Sequence, residues 1–241
     1  MAFGGTNMIA RKQRWLIVSI AFGAAFWLLG GYVPAGPLHM AFKGTAVAIL
    51  AWYALEQSTS VTRPIGVIMA FGALGDVLIE IDLAIGAMAF LCGHFFACWF
   101  YVQNRRPLTW ANAAAGGAAV VAIPALVSVV LPGQTSVLAY ACGLAAMVGC
   151  AWCSRFRRDR VALGALLFAA SDVLLFARMG VLSDSPLVGP VAGALVWPLY
   201  FGGQVLITLG VVNRAQLMLA GSSASRGRET SPTTAAIGRA Q

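Results

Sequence analysis

Charge is scarce in this sequence. Lys, Arg, Asp and Glu together make up 10% of the 241 residues, while 60% are hydrophobic. A soluble domain of that length needs far more charge to cover its surface, so a soluble globular fold is excluded. Ten-residue stretches of alternating polarity are also missing, which removes the β-barrel, the other architecture that satisfies its backbone in lipid. The five cysteines, Cys92, Cys98, Cys142, Cys150 and Cys153, are odd in number and none lies in a clear outer loop, so no disulfide framework is expected. Cys150 and Cys153 match a redox spacing but read better as small packing residues at a helix end. Only two histidines occur, without a paired motif, and neither a metal nor a cofactor is expected. A phosphate-binding glycine loop and a Gly-x-Ser-x-Gly nucleophile elbow are absent as well.

What is present is a series of apolar runs of about 18–25 residues, each long enough to cross ~30 Å of hydrocarbon as a helix. Eight spans are expected, at roughly Trp15–Val33, Leu38–Leu55, Pro64–Ile81, Leu83–Val102, Thr109–Leu131, Ser136–Cys153, Val161–Met179 and Leu187–Val212. The fold class is therefore all-α, a polytopic membrane protein. A basic segment over residues 1–13 precedes a transmembrane domain over 14–212, and the polar, Ser/Thr-rich residues 213–241 are expected to form a disordered tail. Arg11, Lys12 and Arg14 before the first run resemble a signal sequence. The run is longer than a usual signal core and no small-x-small cleavage site follows, so it reads as an uncleaved first helix.

With the N-terminus inside, the inner segments collect 14 of the 16 Lys and Arg residues. That bias places both termini in the cytoplasm and supports an even number of spans, with a bacterial inner membrane as the expected location. The net charge of +8 is then explained by topology and anionic headgroups. Nucleic acid is not an expected partner, because the charges are spread over short segments without a groove or motif.

The few acids carry the functional signal. Phe71–Ile81, "FGALGDVLIEI", aligns without gaps to Leu167–Ala177, "LFAASDVLLFA", 96 residues later, and pairs Asp76 with Asp172 and Gly75 with Ser171. The chain thus reads as two parallel four-helix halves related by a pseudo-twofold axis along the membrane normal. A carboxylate at the centre of a bilayer costs at least ~2.5–3.5 kcal/mol on insertion scales, so its presence there asks for a use. At 1.5 Å per residue both aspartates enter about 17–18 Å from the cytoplasmic side, where their helices can face one another across a cavity. Gly75 and Ser171 would allow the close approach. The glycines of Gly189-x-x-x-Gly193 read as helix packing.

Further polar groups fall nearby. His94 lies within the fourth span, Tyr200 and Gln204 share one face of the eighth, and Pro198 before them can free a carbonyl. Lys43, in the second span, either snorkels outward or pairs with a carboxylate. Glu80 and Asp82 read as a solvated cap at the outer end. Two acids in one enclosed polar pocket do not both ionise readily, which leaves a protonated acid beside a carboxylate. Such a pair equips a general acid–base hydrolase. It equally equips a proton-coupled transporter or a lysolipid flippase built on the 4+4 repeat.

The ordered motifs Gly75-Asp76-"VLI", "GAMAFLCGH" (Gly86–His94), "GALLFAASDVLL" (Gly164–Leu175) and Tyr200-x-x-x-Gln204 resemble those of the lysoplasmalogenase family, also called YhhN-like. Lys43 matches the lysine that opens that family's second helix motif. Gly44 stands where the family usually has proline, and Ala97 where it often has tyrosine, with Tyr101 one turn further. The resemblance implies an eight-helix membrane hydrolase that splits the vinyl ether bond of lysoplasmalogens into a fatty aldehyde and glycerophosphoethanolamine or glycerophosphocholine. Its partners would be a lysophospholipid substrate and the surrounding membrane lipids. On that chemistry Asp76 and Asp172 would divide the acid and base roles. Lys43, His94, Ser171, Tyr200 and Gln204 would bind or support, and Glu80 could assist.

Overall fold

The computed structural model describes residues 3–229, with side chains described for residues 13–222. Among them run eight α-helices: α1 Phe3–Leu29, α2 Pro37–Glu56, α3 Thr62–Leu78, α4 Leu83–Gln103, α5 Trp110–Val130, α6 Thr135–Cys153, α7 Leu163–Met179 and α8 Val188–Glu229. No strand is present among the described residues beyond a single antiparallel bridge between Arg105 and Ser154. The order and number of helices agree with the sequence pattern.

Local chemistry sets several of the ends. Pro37 opens α2, where its missing N–H has no intrahelical partner to lose, and Gly36 before it adopts φ 146°. The Asp82 carboxylate accepts from the Ile85 N–H at 2.9 Å and so caps α4. Asp82 is thus a helix cap. Thr109 does the same for α5 through the Asn112 N–H at 3.3 Å.

Seven of the helices are long and apolar enough to cross a membrane. The exception is α3, whose 17 residues extend about 26 Å and include Asp76. Its C-terminus gives way to turns at Ile79–Ile81 before Asp82 caps the next helix. At the other extreme, α8 does not stop near Val212. It continues to Glu229, where a disordered tail was expected from residue 213. The continuation opens with Ala215–Ala220, "AQLMLA", all good helix formers, and Ala215 is buried. The rest of the expected tail, residues 230–241, lies outside the described residues.

Helices α2, α3, α4, α6, α7 and α8 pack in a ring, with α1 resting on α2 and α8 and α5 on α6 and α7. The two halves are not packed alike: α2 runs closely along α3, whereas α6 makes only slight contact with α7. At one end of the bundle the loops after α4 and α6 are tied together. Arg106 donates to the Ser154 carbonyl at 2.7 Å and the Phe156 carbonyl at 2.9 Å, and the Arg155 N–H donates to the Asn104 carbonyl at 2.8 Å. This Arg-rich end therefore uses two of its guanidinium groups to satisfy loop backbone and side-chain acceptors, since Arg155 also reaches Asn104 Oδ1 at 2.5 Å.

Close approach of α7 to α8 rests on two facing glycines. A Cβ at Gly164 would stand 2.6 Å from the Gly203 carbonyl oxygen, and one at Gly203 would stand 2.5 Å from the Gly164 oxygen. Gly164→Ala and Gly203→Ala should each destabilise the bundle by ~1–3 kcal/mol through overpacking against backbone. Gly202→Ala, where a Cβ meets nothing within 4 Å, should leave thermal unfolding in detergent unchanged.

Candidate active site

Asp76 stands in the last turn of α3, and Asp172 in the interior of α7. Both are buried, at 2% and 9% exposure, and both line one cavity of about 230 Å3. The polar groups on its wall are Lys43, Asp76, Ser171, Asp172, Arg178 and Tyr200, set among Phe26, Phe90 and Trp197. The two acids therefore share one chamber, although they occupy different positions along their helices. Helix α3 ends two residues after Asp76, whereas α7, entered through a π-helical turn at Arg158–Ala162, runs seven residues beyond Asp172.

Each carboxylate is held by a tyrosine from another helix. The Tyr200 hydroxyl on α8 donates to Asp76 Oδ2 at 2.8 Å. The Tyr140 hydroxyl on α6 donates to Asp172 Oδ2 at 2.6 Å. Behind each tyrosine stands one more polar side chain. Gln204 Nε2 donates to the Tyr200 oxygen at 3.3 Å, and His94 Nε2 lies 3.2 Å from the Tyr140 oxygen. Two short relays result, Gln204–Tyr200–Asp76 and His94–Tyr140–Asp172. In each aspartate the Oδ1 atom has no hydrogen-bonding protein partner, and neither acid forms an ion pair, among the described residues. These oxygens are not sealed orphans, and besides the shared chamber Asp172 borders a small cavity of about 30 Å3 next to Tyr140.

Aromatic rings form its walls. Phe90, Phe168 and Tyr200 meet edge to face with centroids 5.1–6.0 Å apart, and His94 packs on Phe168 at 5.1 Å. Of these rings Phe90 and Tyr200 border the acids' chamber, whereas Phe168 lines with Phe90 a second, small cavity of about 20 Å3, and it is this space that His94 and Gln204 border. His94 and Gln204 thus stand behind the tyrosines and away from the acids' chamber. The space that glycine leaves at Gly75 is filled by the Phe90 ring, since a Cβ there would lie 2.7 Å from it.

Other expected residues have found different tasks. Lys43 Nζ donates to Glu80 Oε1 at 2.7 Å, and His39 Nδ1 lies 3.4 Å from Glu80 Oε2. Glu80 is therefore the counter-ion of Lys43 at the mouth of the chamber. The Ser171 hydroxyl donates to the Val196 carbonyl at 2.8 Å and ties α7 to α8. Pro198 lacks the N–H that Ala194 would need, and the freed Ala194 carbonyl accepts from Trp27 Nε1 at 2.8 Å. Helix α8 stays continuous through it. Gly193 is not a packing glycine of two helices: a Cβ there would stand 2.7 Å from the guanidinium carbon of Arg178. Among the described residues, no three His, Cys, Asp or Glu side chains converge to hold a metal ion.

Tyr140 was not singled out in the sequence. It lies near the start of α6, and one tyrosine near the end of an apolar span resembles an interfacial anchor. Only its apposition to Asp172 reveals its use.

The family model described as the YhhN family matches residues 38–211. No curated protein matches the chain, and no solved structure does.

Removing the Tyr140 hydroxyl deprives a buried carboxyl of its donor. Tyr140→Phe should destabilise the fold by ~1–3 kcal/mol. In an Asp172→Ala background the same change should cost less than half as much, which a double-mutant cycle on thermal unfolding reads directly.

Proposed function

The chain belongs to the YhhN family, and we propose that it is an integral-membrane hydrolase that cleaves the vinyl ether bond of lysoplasmalogens. In this reading all eight helices cross the bilayer, α3 included, as two parallel four-helix halves. The Arg-rich end faces the cytoplasm, as the charge bias favours. The observation that carries the reading is the pair of buried carboxyls on one chamber, each fixed through Oδ2 by a tyrosine and each leaving Oδ1 to a substrate.

Such a pair suits the chemistry of an enol ether. One carboxyl, in its acid form, gives its proton to the vinyl carbon remote from the ether oxygen. The π electrons form the new C–H bond, and the ether oxygen shares its lone pair with the adjacent carbon, giving an oxocarbenium ion. Water adds to that carbon while the other aspartate, as carboxylate, takes its proton. The hemiacetal so formed then collapses: the aspartate that took the water proton gives it to the glycerol oxygen, which leaves as the alcohol, and the hemiacetal hydroxyl gives its proton to the first aspartate as the carbon becomes the aldehyde. One water is consumed and both aspartates return to their starting forms. The tyrosines hold the carboxyls in place, and the carboxylate favours the cation that develops between them. Gln204 and His94 orient the tyrosines, so they act as positioning residues. A single-chain lipid suits the chamber, whose walls are largely aromatic and apolar.

The rival transport reading rests on the same pair of acids and on the 4+4 repeat; gating helices of transporters are usually broken, and the sequence offered such a break only at Pro198 in the eighth span. The continuity of α8 across Pro198 favours the hydrolase.

Asp76→Asn and Asp172→Asn should each lower aldehyde release from a lysoplasmalogen by ~100-fold or more, with the protein still extractable and folded. Aldehyde formed by purified protein in detergent, followed by coupled reduction, measures it. Two variants that both turn over at the wild-type rate would remove the assignment. Cargo accumulation in sealed vesicles without cleavage would favour transport instead.

A further inference from the structure

The mouth of the chamber holds two cations with different fates. Lys43 is neutralised by Glu80 at 2.7 Å, with His39 also against that carboxylate. Arg178, in the last turn of α7, lines the same chamber, and no carboxylate lies within ion-pair distance of it among the described residues. Its guanidinium is laid across α8 at Gly193, where the missing Cβ makes room for it. A cation spread on a wall of the cavity, beside a lysine that already has its partner, leaves net positive charge at the mouth. A planar guanidinium also presents paired donors in the geometry of a phosphate.

We infer that Arg178 is the anchor for the phosphate of a single-chain phospholipid whose cleavable end lies between Asp76 and Asp172. The inference deepens the hydrolase reading and rests on it for the identity of the lipid.

Two helical rulers agree with the distance this requires. Asp172 and Arg178 are six positions apart on α7, about 9 Å along the axis. On α8, Gly193 under the guanidinium and Tyr200 at Asp76 are seven positions apart, about 10 Å. In a lysoplasmalogen, seven bonds separate the carbon that takes the proton from the phosphorus. At ~1.2 Å of reach per bond of an extended chain, that is about 8 Å. The glycerol backbone thus spans from the acids to the cation, and the alkenyl chain is left to the apolar walls. Lys43, held by Glu80, sets the charge of the mouth and leaves the phosphate to Arg178.

Equilibrium binding to the purified full-length protein in detergent tests this without relying on turnover. The probes are 1-O-alkyl-glycerophosphoethanolamine, whose saturated ether is not an enol ether, and the neutral 1-O-alkylglycerol. Arg178→Gln should weaken the phosphate lipid by ~10–100-fold, as expected for lost hydrogen bonds to a charged group, and leave the neutral lipid unchanged. Arg178→Lys should recover part of the loss. Gly193→Ala, which displaces the guanidinium without removing its charge, should give a smaller loss with the same selectivity. Equal weakening of both lipids, or of neither, would overturn the inference. So would full competition by inorganic phosphate alone at the lipid's own concentration, which would mark a free-phosphate site. Arg178-dependent binding with no aldehyde from a vinyl ether substrate would overturn the hydrolase and leave the phosphate anchor standing. Normal hydrolysis with unselective Arg178→Gln binding would do the reverse.

Discussion

Two carboxyl groups buried inside an apolar helical bundle, with no cation bonded to either among the described residues, are the constraint around which this protein is arranged. An unpaired buried acid is costly unless donors meet it, and lipid supplies none. The chain answers with two tyrosines on helices that are distant in sequence: α8 serves α3, and α6 serves α7. Each hydroxyl is itself backed, by Gln204 or by His94, so its orientation is set from behind. The polar cluster therefore also joins the bundle: five of the six ring helices contribute to one or other relay. Where α6 and α7 make little direct contact, the Tyr140–Asp172 hydrogen bond links them.

Much of this was legible in the sequence, for identifiable reasons. Apolar composition does not supply aspartate by chance, so the repeated Ala-x-x-Asp-Val-Leu marked both acids and their convergence. Tyr200 and Gln204 were readable because an i, i+4 spacing places two polar groups on one face of a helix. What escaped was whatever depends on contacts between helices. Tyr140 has no local pattern. Lys43 had two plausible fates in the sequence, snorkelling outward or pairing with a carboxylate, and only three-dimensional proximity shows that it pairs, with Glu80. Gly193 looked like a packing glycine because its spacing from Gly189 fits one, whereas its space is occupied by an arginine side chain. The helix ends depended on equally local choices: the Asp82 cap shortens what precedes α4, and good helix formers carry α8 beyond its apolar stretch.

The expected internal symmetry shows the same limit. A shared motif aligns the two acids in sequence, yet their partners are not equivalent. Tyr200 comes from the last helix of the second half and meets the acid of the first, while Tyr140 meets the acid of its own half. The two acids therefore differ in how they are wired, a difference that separate acid and base roles would use. Mutual repulsion alone can split two carboxyls into an acid and a carboxylate, and a carboxyl backed by an amide beside one backed by an imidazole gives that split a preferred direction.

The division of charge at the mouth follows from the same requirement. A lysine bonded to Asp76 would make a salt bridge, and a salt-bridged carboxylate is a poor proton donor. Glu80, one turn after Asp76, holds Lys43 instead, so the cation contributes to the field of the chamber without binding the acid. The same pairing removes Lys43 from competition with Arg178 for an incoming anion. One surface glutamate, which by composition looked like no more than a solvated cap, thereby leaves both inner acids and Arg178 without an ionic partner among the described residues, the state that the proposed chemistry and the proposed phosphate anchor each require.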